Sequence, residues 1–140
     1  VTAVEASPLL SILIREGLQS ACTGLPQADE ACRRIRILQG DHADILRRME
    51  DKSVDIVYFD PMFERAVETS DSIRPLRFHA CHQPVSEETI RQAVRVARKT
   101  VVMKNSAGNA EFARLGFAPA RQSRSAVSYG VIQIASAGNG

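Results

Sequence analysis

The sequence predicts an α/β fold built on a doubly wound, mostly parallel sheet. Strand-like and helix-like patterns alternate along the 140 residues, and this alternation is typical of parallel strands joined by helices. The continuous apolar run Ile56-Val57-Tyr58-Phe59 indicates a strand that is buried on both faces. Two strand-like runs over residues 117–135 predict an antiparallel hairpin at the end of the chain. In such sheets ligands bind beyond the carboxyl ends of the strands.

The first half of the chain alternates strands with helices. A strand over residues 1–5 precedes a helix that begins at Ser7, because Ser is a favoured N-cap and Pro8 fits the first helical position. Apolar residues at helical spacing continue this helix as far as Gly17, which weakens it. The next four elements are a helix, a strand, a helix and a strand, predicted at residues 28–34, 35–38, 43–49 and 54–59.

The second half of the chain begins its regular structure at Ser86. This residue is the expected N-cap of a helix whose apolar residues recur every three or four positions and whose opposite face is basic. A strand over residues 100–104 follows, and then a helical turn or two over residues 109–115. The second strand of the terminal hairpin is predicted at residues 126–134.

Length and composition predict one domain over residues 1–140, because 44% of the residues are apolar and the length lies in the single-domain range. The net charge of +2 is too small to indicate a nucleic-acid partner, and it does not exclude one. The three cysteines include no Cys-x-x-Cys pair. A disulfide framework or zinc site is therefore not expected. The same cysteine pattern predicts a reducing, cytoplasmic setting.

Four polar side chains fall at the carboxyl ends of predicted strands, and we expect them to converge on one site. They are Glu5, Asp41, Asp60 and Lys104. An acidic residue at the position of Glu5 accepts hydrogen bonds from a ribose diol in nucleotide-binding folds. The alternative is a carboxylate that stabilises the start of the following helix through the helix dipole.

Asp41 and Lys104 each allow two interpretations. The Asp41 carboxylate can accept a hydrogen bond from an adenine amine while the backbone N–H of His42 approaches a ring nitrogen. Asp41 is also suited to cap the helix over residues 43–49, and the two roles are compatible. Lys104 could contact an RNA phosphate, or it could end its strand as a solvated charge.

The most informative segment is Asp60-Pro61-Met62-Phe63, which directly follows the strand over residues 54–59. A carboxylate, a proline-fixed turn and an aromatic ring at this place can hold a planar nitrogen compound and assist reaction at its amine. Asp60 and the Pro61 carbonyl would accept the N–H bonds, while Phe63 would stack on the ring. The alternatives are a turn that closes the strand and, for Phe63, a core aromatic.

These residues resemble the class I S-adenosylmethionine-dependent methyltransferases. The similar segments are Val4-Glu5-Ala6-Ser7-Pro8, Glu16-Gly17-Leu18 and the strand that runs into Asp60-Pro61-Met62-Phe63. Within that superfamily, the Asp-Pro-Met-Phe segment resembles the corresponding motif of the bacterial small-subunit ribosomal RNA guanine-N2 methyltransferases. The resemblance implies a Rossmann-like fold, S-adenosylmethionine as the cofactor, and an rRNA-processing methyl transfer to guanine N2.

Three sets of site residues are expected, in part from the resemblance and in part from the positions of the residues themselves. Cofactor binding is expected from Glu5, Ala6, Asp41, His42 and Asp60. Catalysis is expected from Asp60, Pro61 and Phe63. Substrate binding, with an RNA as the partner, is expected from Phe63, Arg65, Arg77 and Lys104. No metal is assigned, since His79-Ala80-Cys81-His82 lacks a second ligand pair.

The chain departs from the family pattern in three respects. Glu64 follows the Asp-Pro-Met-Phe segment where Pro is usual, and Lys104-Asn105-Ser106 stands where the family has Lys-Arg-Pro. The first strand of the fold and its glycine-rich loop also lack a counterpart in residues 1–140. Their absence would leave two unpaired strand edges in the middle of the sheet, so we expect these residues to be a fragment of a longer polypeptide, or another chain to fill the gap.

Two functions from other classes stay open. A nicotinamide-dependent oxidoreductase also places an acidic residue at the position of Glu5, but it offers no reason for Asp-Pro-Met-Phe after a later strand. The other is a non-catalytic RNA-binding module that keeps the fold and has lost the cofactor pocket.

Overall fold

The computed structural model describes residues 1–61, 84–120 and 126–135. The chain divides into two compact units. Of the described residues, Val1–Ile45 belong to the first unit, and residues 46–61, 84–120 and 126–135 belong to the second. The expectation of a single domain over residues 1–140 stays a prediction.

The first unit is built on a two-stranded parallel sheet. Strand β1 (Thr2–Glu5) pairs with β2 (Arg36–Gln39) from Thr2 opposite Arg36 to Glu5 opposite Gln39. Helices α1 (Pro8–Gln19) and α2 (Pro26–Arg33) lie between the two strands in sequence, and α3 (His42–Arg48) begins after β2. Every element predicted here is present, with bounds shifted by one or two residues.

Helix α1 begins as its sequence predicts. The Ser7 hydroxyl oxygen accepts a hydrogen bond from the Leu10 N–H at 3.4 Å, and Pro8 occupies the first helical position. The apolar side chains Leu9, Ile12 and Leu13 are nevertheless exposed. An apolar helical pattern predicts that a helix forms, but it does not predict which other element packs against its apolar side chains.

The second unit is a four-stranded mixed sheet. Its strands are β3 (Val54–Phe59), β4 (Ala97–Ser106), β5 (Ala118–Pro119) and β6 (Val127–Gln133), in the order β3-β4-β6-β5. Strands β3 and β4 are parallel, whereas β6 runs antiparallel to both β4 and β5. The predicted antiparallel hairpin at the end of the chain is therefore confirmed.

The core of the second unit lies on one face of this sheet, against helix α4 (Glu87–Val96). Helix α5 (Glu111–Arg114) and the segment after it close the same core. The buried side chains include Phe59, Ile90, Val96, Val101, Met103, Leu115 and Phe117. On the opposite face, Ile56 and Tyr58 are 55% and 51% exposed. The expectation that β3 is buried on both faces is wrong for the described part of the chain, because its apolar run does not reveal that only one face is covered.

Helix α4 passes directly into β4, and basic side chains fix this junction. Arg95 donates to the carbonyl oxygens of Leu46 and Met49, both at 2.8 Å. In return, the Lys52 ammonium donates to the carbonyl oxygens of Val94 and Ala97 at 3.3 and 3.1 Å. These contacts add hydrogen bonds to carbonyl groups at or just beyond the ends of α3 and α4. The basic face predicted for α4 is thus partly structural.

We expect Arg95→Met to lower the free energy of unfolding by about 2 kcal/mol, because charge-assisted bonds to two partly buried carbonyls are lost. Arg91→Met is the matched control on the same helix, since Arg91 is exposed and pairs with Glu88 one turn earlier. Urea unfolding of both variants measures the difference. Equal stability of the two variants would contradict the structural role of Arg95.

None of the helices in the part of the chain that the structure describes has the length and apolar character needed to cross a lipid bilayer.

Candidate active site

Two predicted site residues meet at the carboxyl end of the first unit's sheet. Glu5 is the last residue of β1 and lies opposite Gln39, the last residue of β2. The Gly40 N–H donates to the Glu5 carbonyl oxygen at 2.9 Å, so Asp41 follows immediately at the same edge. Parallel strands present their carboxyl ends together, and the structure confirms this for the pair Glu5 and Asp41.

The Glu5 carboxylate is held in place by the start of α1. Its Oε1 accepts a hydrogen bond from the Ser7 N–H at 2.7 Å. This contact belongs to the helix-start alternative of the sequence analysis, because it satisfies an N–H group at a helix terminus. It orients the carboxylate at the edge where a nucleoside would lie.

Asp41 is the N-cap of α3. Its Oδ1 accepts hydrogen bonds from the N–H groups of Ala43 and Asp44, at 2.9 and 3.2 Å. The imidazole Nδ1 of His42 lies 4.0 Å from the other carboxylate oxygen. The capping alternative is therefore confirmed, and the predicted cofactor role is compatible with it.

One contact at this edge was not anticipated from the sequence. The Gln39 side-chain amide donates to the carbonyl oxygen of Ala6 at 3.2 Å. It links the turn after β1 to the last residue of β2, and so fixes the backbone on which Glu5 and Ala6 lie. A glutamine at the end of an exposed strand gives no sequence signal for such a role.

Asp60 and Lys104 form an ion pair at the carboxyl end of β3 and β4. The two strands are paired up to Phe59 opposite Met103, so Asp60 and Lys104 are the next residues along each. Lys104 Nζ lies 3.2 Å from Asp60 Oδ2. The hydrogen bond to Asp60 raises the pKa of Lys104 above its ordinary value, so this side chain is a cation at neutral pH.

Two tyrosines flank this ion pair on the exposed face of the sheet. Tyr129 lies directly opposite Lys104 in the antiparallel pairing of β4 with β6, and Tyr58 lies opposite Val102, two residues before Lys104. Burial, followed by the charge of Asp60, raises the pKa of Tyr58, so its phenol is neutral at physiological pH. Tyr129 is 45% exposed on this face.

Pro61 follows Asp60 and lines a small pocket that also involves Met103, Asn105 and Asn109. The Asn105 side chain is buried, and its Oδ1 accepts hydrogen bonds from the Ser106 N–H and the Asn109 amide. Since Met103 and Asn105 alternate with Lys104 along β4, this pocket lies on the core side of the sheet, away from the Asp60 carboxylate.

The remaining predicted residues lie outside the part of the chain that the structure describes. They are Phe63, Arg65 and Arg77, together with Met62, Glu64 and the segment His79-Ala80-Cys81-His82. Among residues 1–61, 84–120 and 126–135, no group of three or more His, Cys, Asp or Glu side chains could hold a metal ion.

Comparison with known proteins identifies the family. A family model described as "Putative SAM-dependent methyltransferase" matches residues 1–122. The chain belongs to this family of SAM-dependent methyltransferases. The family implies S-adenosylmethionine as the cofactor and a class I, Rossmann-like α/β fold, in agreement with the parallel pairs β1-β2 and β3-β4.

Three proteins are similar to this member of the SAM-dependent methyltransferase family. The Bacillus subtilis (strain 168) protein named "Uncharacterized protein YpiP" is 44% identical over 133 residues, which are 95% of this chain and 52% of YpiP. "Ribosomal RNA small subunit methyltransferase J" of Pseudomonas paraeruginosa is 40% identical over 63 residues, which are 45% of this chain and 24% of that protein. The crystal structure of the SAM-dependent methyltransferase NGO1261 from Neisseria gonorrhoeae is similar with a TM-score of 0.62 and 25% identity, over 96% of this chain and 52% of that one.

The methyltransferase chain thus spans about half the length of YpiP and of the Neisseria protein, and a smaller part of the Pseudomonas one.

Proposed function

We propose that the protein transfers a methyl group from S-adenosylmethionine to an exocyclic amine, with guanine N2 of ribosomal RNA as the acceptor. The observation that carries this proposal is the Asp60-Pro61 pair at the carboxyl end of β3 in a chain of this family, with 48% of the Asp60 side chain exposed to incoming substrate. Support for the acceptor comes from relatives named as ribosomal RNA methyltransferases.

The residues at the ends of β1 and β2 fit the nucleoside part of the cofactor. Glu5 presents a carboxylate, fixed at one oxygen by the Ser7 N–H, whose other oxygen can accept a ribose hydroxyl. Asp41 and the backbone N–H of His42 offer an acceptor and a donor side by side, the pattern that matches an adenine edge. Ala6, fixed through Gln39, completes this cofactor site.

When bound, S-adenosylmethionine supplies a methyl group on a sulfonium, which is already activated toward a nucleophile. A lone pair on the amine nitrogen forms the new bond to carbon, and the electron pair of the carbon–sulfur bond goes to sulfur. The nitrogen becomes cationic and then loses a proton to water. The amine is the harder partner to activate, because its lone pair is delocalised into the aromatic ring.

Asp60 and the Pro61 carbonyl act on this amine. Accepting its two N–H bonds favours a geometry in which the lone pair points at the methyl carbon. The same acceptors stabilise the positive charge that develops on nitrogen in the transition state. Phe63 would stack on the base, and Arg65 and Arg77 would bind the RNA around it. A cytoplasmic location accords with such a substrate.

The test is titration calorimetry of the full-length protein with S-adenosylmethionine. We expect binding, and we expect Glu5→Gln to weaken it by roughly tenfold or more, since a charge-assisted hydrogen bond contributes about 1.5–3 kcal/mol. Glu16→Gln is the control, because Glu16 is exposed on α1 and has no assigned role. Absence of binding by the unmodified protein would rule out the proposed function.

The acceptor is tested separately, by incubating the protein with labelled S-adenosylmethionine and ribosomal RNA and identifying the modified nucleoside. We expect label in N2-methylguanine. Binding of RNA without cofactor binding or transfer would instead support a non-catalytic RNA-binding module.

A further inference from the structure

We propose that Lys104 is a positioning residue that holds the Asp60 carboxylate in the orientation needed to accept the N–H of the methyl acceptor. This inference rests on the proposed function, in which Asp60 acts on that amine. Its structural basis is the contact between Lys104 Nζ and Asp60 Oδ2 at 3.2 Å, across the ends of two paired parallel strands.

The backbone of Lys104 is fixed more firmly than that of an ordinary surface lysine. It lies inside β4, where it pairs with Tyr129 of β6, one residue beyond the last pair between β4 and β3. Its side chain extends across the face that also carries Tyr129 and Tyr58, and only 27% of it is exposed. Asp60, by contrast, lies just beyond the last paired residue of β3. The cation is therefore anchored, and the carboxylate is the partner that needs to be held.

A second lysine in the same strand shows what a simple surface ion pair looks like. Lys99 lies 3.4 Å from the carboxylate of Asp55 in β3, and the two side chains are 70% and 51% exposed. Such pairs contribute little, because solvent screens both charges. The pair at the carboxyl end of the strands differs in that its lysine is mostly covered.

The chemistry of the two groups supports a positioning role. An ammonium group has three donors and no acceptor, so Lys104 cannot compete for the N–H of the substrate amine. Binding Oδ2 leaves Oδ1 to accept that N–H and restricts rotation of the carboxylate. Lys104 stays protonated at neutral pH, since the hydrogen bond and the charge of Asp60 raise its pKa. The ion pair is therefore present under the conditions of the reaction.

The competing interpretation is that Lys104 binds an RNA phosphate. A phosphate contact contributes to substrate affinity and to the dependence of that affinity on salt, but it leaves the chemical step unchanged. The two roles consequently differ in which kinetic constant responds to substitution.

The experiment compares Lys104→Met, Lys104→Arg and Lys99→Met in the full-length protein by steady-state kinetics. We expect Lys104→Met to lower kcat by about 10- to 100-fold, as misplacement of a catalytic group does, and to change the KM for RNA by less than about threefold. Lys104→Arg should recover most of kcat, because arginine keeps the charge and the donors. Lys99→Met should leave both constants unchanged.

A rise in the KM for RNA with kcat unchanged would overturn the proposal and favour the phosphate contact. A double variant settles the partner: Lys104→Met should add no further loss to Asp60→Ala if Lys104 acts through Asp60. Independent effects of the two substitutions would also overturn the proposal.

A readout independent of activity is the titration of Lys104 followed by nuclear magnetic resonance of its side chain. We expect Asp60→Asn to lower the pKa of Lys104, because the neighbouring charge that raises it is removed. If the unmodified protein transfers no methyl group, the proposed function fails. If it does, and Lys104→Met is fully active, only the positioning role fails.

Discussion

Replacing Asp60 by alanine is expected to lower the rate of methyl transfer by about 10³-fold while changing the affinity for S-adenosylmethionine by less than about tenfold. The reason is that Asp60 acts mainly on the amine, as an acceptor whose interaction strengthens when positive charge develops on nitrogen. Loss of the carboxylate also removes the ion pair with the Lys104 ammonium, whose Nζ lies 3.2 Å from Asp60 Oδ2. Transfer of labelled methyl to RNA and calorimetric titration with the cofactor measure the two effects.

The matched control for this variant is Asp55→Ala. Asp55 lies in the same strand and also pairs with basic side chains of β4, Arg98 and Lys99, but at the opposite end from the proposed site. We expect it to retain full activity. Full activity of Asp60→Ala, or equal losses in the two variants, would exclude the catalytic role of Asp60.

Gly130→Ala is expected to lower the free energy of unfolding by about 3 kcal/mol, the largest stability effect that the described residues suggest. Gly130 is buried in β6, opposite Met103. A Cβ atom at this position would lie 2.5 Å from the Phe112 ring and 2.7 Å from the Phe117 Cβ. The Phe112 ring can turn only by disturbing its edge-to-face contact with Phe117, and the Phe117 Cβ moves only with its backbone.

The same substitution at Gly17 provides the control. Gly17 lies in α1 and is exposed, and among the described residues an added Cβ would have no heavy atom within 4 Å beyond its chain neighbours and the local helix backbone. Gly17→Ala should therefore stabilise the protein by about 0.5–1 kcal/mol, because alanine favours the helix. Urea unfolding of both variants measures the sign of each change in the free energy of unfolding. A neutral Gly130→Ala would show that the phenylalanines repack without cost.

The elements of this fold are largely encoded in local sequence. Ser7 and Ser86 are N-caps in the structure, because each hydroxyl oxygen accepts a hydrogen bond from the N–H group three residues ahead. Pro8 follows Ser7 at the first helical position. Strand β3 has the bounds that its apolar run predicts. These features depend on neighbours in sequence, so a single chain is enough to predict them.

The exposure of the elements was less predictable than their presence. The apolar sequences of α1 and β3 indicate surfaces that need covering, yet Leu9, Ile12, Ile56 and Tyr58 are exposed in the structure. Burial depends on residues that are distant in sequence or supplied by another segment, and hydrophobic pattern cannot specify them.

The candidate site was predicted in part. The rule for the ends of parallel strands predicted Glu5, Asp41, Asp60 and Lys104 as site residues. The structure places Glu5 and Asp41 at one sheet edge, and it brings Asp60 and Lys104 into contact. Convergence of all four residues stays a prediction. The ion pair of Lys104 was missed because a lysine after an apolar strand is typical of both a solvated strand end and a phosphate ligand.

Both tyrosines of these 140 residues, Tyr58 and Tyr129, flank Lys104, and the segment contains no tryptophan. All the tyrosine fluorescence of the segment therefore originates beside this ion pair. A nucleobase that stacks near Asp60 would quench this emission, so occupancy of the acceptor position could be followed without attaching a dye.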